Sequence, residues 1–216
     1  MSVKRERQVA AEAAAELVED GMLVGLGTGS TVEFLLPALA ARRLDLRCVA
    51  TSPQTEQSAL ALGLKVESFA GRDALPRLDI AIDGADQVLP DGWLVKGGGA
   101  AHTREKAVAA AADRFVVVVS SDKLVEWLSP PVPLELLEYG LAATLRRLGT
   151  VEFRDAPRSP DGGVIADYTG DFDDPAELAD RLSATVGVVE HGLFPAAMIS
   201  DVVIGRGEQV EIRSLR

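Results

Sequence analysis

Lys96 stands directly before three glycines in VKGGGAAHTREK (residues 95–106), and Glu105 follows shortly after. A cation beside backbone that is free to turn its N–H groups inward is a donor set suited to a developing oxyanion. A carboxylate in the first turns of the following helix, if partly buried, has its pKa raised into the range that moves protons near neutrality. On this reading Lys96 supplies positive charge, Gly97, Gly98 and Gly99 bring the backbone close, and Glu105 moves a proton. The plainer alternative is a flexible turn followed by a solvated helix face of Arg104, Glu105 and Lys106. Three consecutive glycines lose much conformational freedom on folding, which weighs against that alternative.

Three other stretches carry residues of the same kind. GLGTGST (25–31) is a glycine-rich turn from a strand into a helix, where backbone N–H groups, a helix N-terminus and the hydroxyls of Ser30 and Thr31 could cradle a phosphate or carboxylate. It lacks the Gly-Lys-[Ser/Thr] of a P-loop, and Ser30 stands where the third glycine of the dinucleotide fingerprint belongs. The next strand ends at Thr51 and Ser52 rather than at an acid for a ribose, so a nicotinamide cofactor is disfavoured. Taken alone, the stretch reads equally as a tight turn with a hydroxyl cap.

In IDGADQ (82–87), Asp83 and Asp86 flank Gly84 and Ala85. Carboxylates this close can share protons or hold a hydroxylated ligand, and like charges raise at least one pKa. As an isolated pattern it is also an Asp-Gly turn with two solvated acids. These two grouped acids leave a magnesium site open but unspecified, since hard cations take several oxygen ligands. In SSDKL (120–124), Lys123 follows an apolar strand and, by itself, is an ordinary exposed lysine. His102 reads as a polar surface histidine able to titrate near neutrality, and Cys48 as a core thiol inside a strand.

All four stretches fall at or just after the carboxyl ends of expected strands, where ligands of open α/β sheets bind. The pattern predicts a helix over 3–19, strands at 22–27, 46–51, 78–84 and 114–120, and helices over 31–42, 53–62 and 100–112, with a turn at Pro90-Asp91-Gly92 between two short extended pieces. That alternation is an α/β, Rossmann-like doubly wound, mostly parallel sheet. From about Pro130 the order becomes β-α-β-β-α-β: extended 131–136, helical 137–148, extended 150–155 and 164–169, helical 175–184, extended 187–192. This is a smaller α+β, ferredoxin-like domain. The tail DVVIGRGEQVEIR alternates like a hairpin around Gly205-Arg206-Gly207 and is expected to rejoin the first sheet. The expected division is therefore residues 1–129 plus 203–216 against 130–202.

With 216 residues the chain can bury roughly 70% of its unfolded surface. Apolar residues are 47% and charged residues 25%, ordinary values for a folded globular protein. Basic residues number 22 against 33 acidic, a net charge of -11, so a broad nucleic-acid footprint is excluded and an anionic ligand needs a local pocket. Only five lysines occur, and three of them lie between 96 and 123. One cysteine makes no internal disulfide, and no apolar run nears the roughly 18 residues of a membrane span. The charged, alanine-rich start lacks the apolar segment of a secretory signal, so a cytoplasmic protein is expected.

Together, VGLGTGST, DIAIDGADQ, LVKGGGAAHTREK and SSDKL, in this order and spacing, resemble the A-type ribose-5-phosphate isomerases. The likeness is tight over the first domain and looser over the small domain, the GLF near residue 192 and the ending. It implies an aldose-ketose isomerase of the non-oxidative pentose phosphate pathway, without cofactor or metal, cytosolic, and dimeric or tetrameric. It implies Glu105 as the base that takes the C2 proton of the open-chain aldose and returns one at C1 through an enediolate. Asp83 and Asp86 match carboxylates that hold sugar hydroxyls and assist ring opening. Lys96 and Gly97–Gly99 match the element beside the reacting oxygens, and Thr28, Gly29, Ser30, Thr31 and Lys123 match substrate-binding positions, with Gly84 and Ala85 in the same wall.

The chain departs from the family pattern at Gln87, where a glutamate is common, at His102, which replaces a leucine, at Arg7, where some members carry lysine, and in SPPVPLELL. None removes a proposed catalytic group, and each leaves room for an altered sugar preference. Two other classes share these residues: a non-catalytic sugar-phosphate sensor, for which no nucleic-acid or partner module is visible, and a CoA-transferase-like enzyme with Glu105 as nucleophile.

Overall fold

The computed structural model describes residues 2–215. The first part runs α1 (Val3–Ala15), β1 (Leu23–Leu26), α2 (Val32–Arg42), β2 (Arg47–Ala50), α3 (Pro53–Ala61), β3 (Leu78–Asp83), the short strands β4 (Gln87–Val88) and β5 (Leu94–Val95), α4 (His102–Ala111) and β6 (Ala112–Ser120). Then come β7 (Val132–Leu136), α5 (Leu141–Leu148), β8 (Val151–Phe153), β9 (Val164–Tyr168), α6 (Pro175–Ser183), β10 (Val188–His191), β11 (Leu193–Phe194), β12 (Asp201–Arg206) and β13 (Gln209–Ser214).

The central sheet has the order β13-β12-β6-β3-β1-β2. Every pair in it is parallel except β12 with β13, so the tail hairpin does rejoin this sheet, with β12 lying parallel beside β6. Both faces are covered, which is why FVVVV is apolar without alternation. Val116 and Val118 pack with residues of α1 and α2, while Phe115, Val117 and Val119 pack with Val108 and Ala109 of α4. Gly25 is needed at one such crossing, since a Cβ there would stand 2.4 Å from a Val108 methyl.

The second sheet has the order β10-β7-β9-β8, antiparallel throughout, with the two helices of its β-α-β-β-α-β run supplying Leu148, Leu178 and Leu182 to a third apolar cluster. A three-stranded sheet, β11-β5-β4, ties the segment after β10 back to the strands that precede Lys96.

Several boundaries differ from the sequence pattern, each for a tertiary reason. Helix α1 ends at Ala15 rather than near residue 19, because the Arg42 guanidinium takes the carbonyls of Ala15 and Val18. Helix α5 begins at Leu141 rather than 137, since Leu137 N–H is held in extended backbone by Gly187 O at 2.8 Å and Gly140 turns the chain at φ 76°. The tail hairpin turns at Gly207-Glu208, a little later than the spacing suggests. No helix among the described residues is long and apolar enough to cross a membrane.

Candidate active site

The strand order reverses between β1 and β3, and the loops after both strands open at their carboxyl ends, where open α/β sheets bind ligands. Thr28, Gly29, Ser30 and Thr31 after β1, Gly84, Ala85 and Asp86 after β3, Lys96 to Gly99 after β5, Glu105 of α4, and Lys123 of the turn after β6 line one cavity. Residues scattered over about a hundred positions of sequence are thus brought together. Arg7 of α1 also lines it, its Nη1 donating to Ser30 Oγ at 2.8 Å. In the sequence Arg7 stood out only as a departure from a pattern; nothing local marks a helix residue as facing a cavity built by other elements.

Asp83 lies a layer deeper, beneath the cavity lining. Its Oδ1 accepts from the N–H groups of Thr28 at 3.1 Å and Gly84 at 2.7 Å. The fit requires glycine at 27, where a Cβ would stand 2.0 Å from the Asp83 carboxyl carbon. Lys96 Nζ sits between two carboxylates, 2.9 Å from Asp83 Oδ2 and 3.2 Å from Glu105 Oε2, and also donates to Gly84 O. All three charged groups are buried, with Lys96 2% and Glu105 4% exposed.

One ammonium between two carboxylates in a dry site leaves one negative charge in excess. Burial pushes Glu105 up, the neighbouring Asp83 charge adds to it, and Lys96 only partly offsets them, leaving its pKa at about 8. Burial also raises Asp83, against Lys96 and the two backbone donors. Burial works against the Lys96 ammonium too, but its two carboxylates outweigh that and hold it protonated above the ordinary lysine range. The extra proton therefore belongs on Glu105, which lacks the backbone N–H bonds that Asp83 accepts.

Asp86 accepts from Gly98 N–H at 2.8 Å, so the glycine run and the second aspartate fix each other. Gly97 takes φ +108°, a conformation that favours glycine. The backbone before it is anchored by Lys96 N–H to Gly192 O at 2.8 Å. Glu6, next to Arg7, accepts from Ser121 N–H and Oγ at 2.9 and 2.7 Å and from Gly207 N–H at 3.0 Å. Those hydrogen bonds hold it below the usual carboxylate range and pin the turn that carries Lys123. The hydroxyls of Thr51 and Ser52 are used internally: Thr51 Oγ1 meets Thr28 Oγ1 at 2.8 Å, and Ser52 Oγ caps α3.

His102 corrects the surface reading. It is fully buried, and burial, then the Lys106 cation, lower its pKa to about 4, so it stays neutral through physiological pH. The reason is tertiary: Gly97 lies so close that a Cβ there would be 2.8 Å from His102 Nδ1. Cys48 is buried as expected, its thiol pushed up to about 12 by burial and then by Glu67.

Chemically, the cavity joins a proton acceptor poised near neutrality, a fixed cation beside it and a glycine-rich backbone, with two further cations on its wall. The family model for ribose 5-phosphate isomerase A (phosphoriboisomerase A) matches residues 47–209. Ribose-5-phosphate isomerase A of Halobacterium salinarum is 43% identical, the match covering 98% of this chain and 96% of the relative. The crystal structure of ribose 5-phosphate isomerase A from Neisseria gonorrhoeae superposes with a TM-score of 0.93 at 30% identity, covering 100% of this chain and 98% of that one. A D-ribose-5-phosphate isomerase in complex with phospho-erythronic acid gives a TM-score of 0.90 at 33% identity, covering 99% and 100%. On family model, sequence and fold alike, the chain belongs to the ribose 5-phosphate isomerase A family.

Proposed function

We propose that the cavity interconverts D-ribose 5-phosphate and D-ribulose 5-phosphate through an enediolate, with Glu105 as the base. The observation that carries the reading is the buried Glu105 with a pKa of about 8, sharing the Lys96 ammonium with Asp83. Glu105 takes the C2 proton of the open-chain aldose, and the C1 carbonyl electrons move onto O1 as the C1–C2 double bond forms. Lys96 and the N–H groups of the glycine run that Asp86 does not occupy stabilise that charge. Return of the proton to C1, loss of the O2 proton and gain of one at O1 complete the ketose. Asp86, on the cavity wall, moves the proton between oxygens and assists ring opening. Asp83, beneath Lys96, keeps the ammonium charged and in place.

Arg7 and Lys123, with Ser30, Thr31 and the N-terminus of α2, take the phosphate, a grip whose binding energy orients the sugar. The sequence division into 1–129 plus 203–216 and 130–202 goes with this reading. Sheet membership supports it in part: the antiparallel sheet draws its strands from 132–191 alone, but β12 joins the central sheet from Asp201, and Phe194 and Ile199 pack in that sheet's core. A cytoplasmic homodimer or homotetramer completes the proposal; exposed Leu137, Tyr139 and Val186 offer apolar surface for contact, and light scattering in solution checks it.

The test is conversion of ribose 5-phosphate to ribulose 5-phosphate by the purified protein in excess EDTA, beside Glu105→Gln. The parent is expected to turn over, and the variant to lose roughly 10²–10⁴-fold in kcat. A folded parent that binds the sugar phosphate without converting it overturns the assignment in favour of a sensor.

A further inference from the structure

The glycine run after Lys96 is only partly fixed by its own turn, in which Ala100 N–H donates to Gly97 O at 3.0 Å. That bond and the one from Gly98 N–H to Asp86 hold the 97–98 peptide plane, but the glycines leave the 98–99 plane free to flip, and a donor there works only if its N–H faces the reacting oxygen. Something beyond the turn must hold the Gly98 carbonyl the other way and reinforce that of Gly97. Arg154, just past β8 of the small sheet, reaches across to do so. Its Nη1 donates to Gly97 O at 2.8 Å and to Gly98 O at 3.3 Å. Its Nε donates to Asp167 Oδ2 at 3.0 Å, and Nη2 holds the other oxygen of the same carboxylate.

In a trans peptide the C=O and the next N–H point in opposite directions. A Gly97 carbonyl turned toward Arg154 therefore sends Gly98 N–H away from it, and that N–H is the one bonded to Asp86 at 2.8 Å. By the same rule the Gly98 carbonyl sends Gly99 N–H away from the guanidinium, and Gly99 lines the cavity. Asp167 on β9 neutralises the guanidinium and locks its plane, so Arg154 acts through geometry rather than by adding charge to the site.

We infer that Arg154, locked by Asp167, is a positioning residue that sets the peptide orientation of Gly97–Gly99 and the placement of Asp86, and so couples the small sheet to proton transfer. The inference rests on the isomerase reading. Lysine is no substitute, because a single ammonium cannot grip a carboxylate bidentately and reach two carbonyls at once.

The experiment compares the full-length parent with Arg154→Ala and Arg154→Lys in ribose 5-phosphate conversion, with thermal melts alongside. Arg154→Ala is expected to lose on the order of 10²-fold in kcat, with KM for the sugar phosphate kept within about threefold because the phosphate grip is untouched. Added millimolar guanidinium is expected to restore part of that kcat, and to restore none in Glu105→Gln. Should the alanine variant fail to fold, Arg154→Lys carries the test through the same split of kcat against KM. Unchanged kcat in a folded variant, or a loss confined to KM, overturns the clamp. An inactive parent instead overturns the isomerase reading, so the two failures are distinguishable.

Discussion

Glu105 and Asp83 offer the same functional group to the same ammonium, and their surroundings assign them different work. Asp83 accepts two backbone N–H bonds in addition to Lys96, whereas Glu105 has Lys96 and a buried setting. The residue with fewer donors keeps its proton longer, which is what a base working near neutrality needs. Since Glu105 must be deprotonated to act, kcat/KM is expected to rise with pH through neutrality, along a limb whose midpoint lies near 8. The causes of the shift set the sign of each variant. Asp83→Asn removes a charge that raises Glu105, so the limb of its residual activity moves to lower pH. Lys96→Met removes the cation that lowers it, and the limb moves to higher pH. A pH–rate profile in all three proteins checks this; limbs that stay in place would remove Glu105 as the titrating base.

At the scale of elements, the site depends on how α1 lies against β12, and a glycine governs that approach. A Cβ at Gly205 would stand 2.0 Å from Glu6 O, a backbone atom that cannot swing aside. Gly205→Ala must therefore push α1 away, at a cost of roughly 1–3 kcal/mol. The displaced helix carries Glu6, which holds the Ser121–Lys123 turn, and Arg7 itself. A lowered urea midpoint together with a raised KM for ribose 5-phosphate is expected, with kcat little changed; an unshifted midpoint would show that the contact yields freely. The elements themselves were legible because their signals are local: a period-two or fully apolar strand, a Gly-rich turn, a capping hydroxyl. Arg7, Arg154 and the burial of His102 were not, because each depends on a neighbour dozens of positions away. Only the four glycine- and acid-bearing stretches announced themselves, since their chemistry and their local turn geometry coincide at strand ends.

For the whole molecule, site and core share strands and packing, and Cys48 offers a way to measure whether they open together. The thiol lies on β2 in the cluster that packs α1 and α2 on the central sheet, fully buried, with its pKa pushed up to about 12. A thiol that is neither ionised nor accessible reacts only when the structure opens. In the native protein at mildly alkaline pH, a thiol reagent is expected to label Cys48 at the rate set by opening rather than by reagent chemistry. Ligand that binds only the folded state lowers the open population by the factor 1 + [L]/Kd. An equilibrium mixture of ribose and ribulose 5-phosphates at 100 times Kd should thus slow labelling about 100-fold if the opening that exposes β2 also dismantles the cavity. The loop after β1, the strand paired with β2, carries Thr28 to Thr31, so the two events share structure. Labelling that ignores the sugar phosphates would mean that β2, the last strand of the sheet, frays together with the Lys65–Glu67 segment bonded along it while the site stays whole.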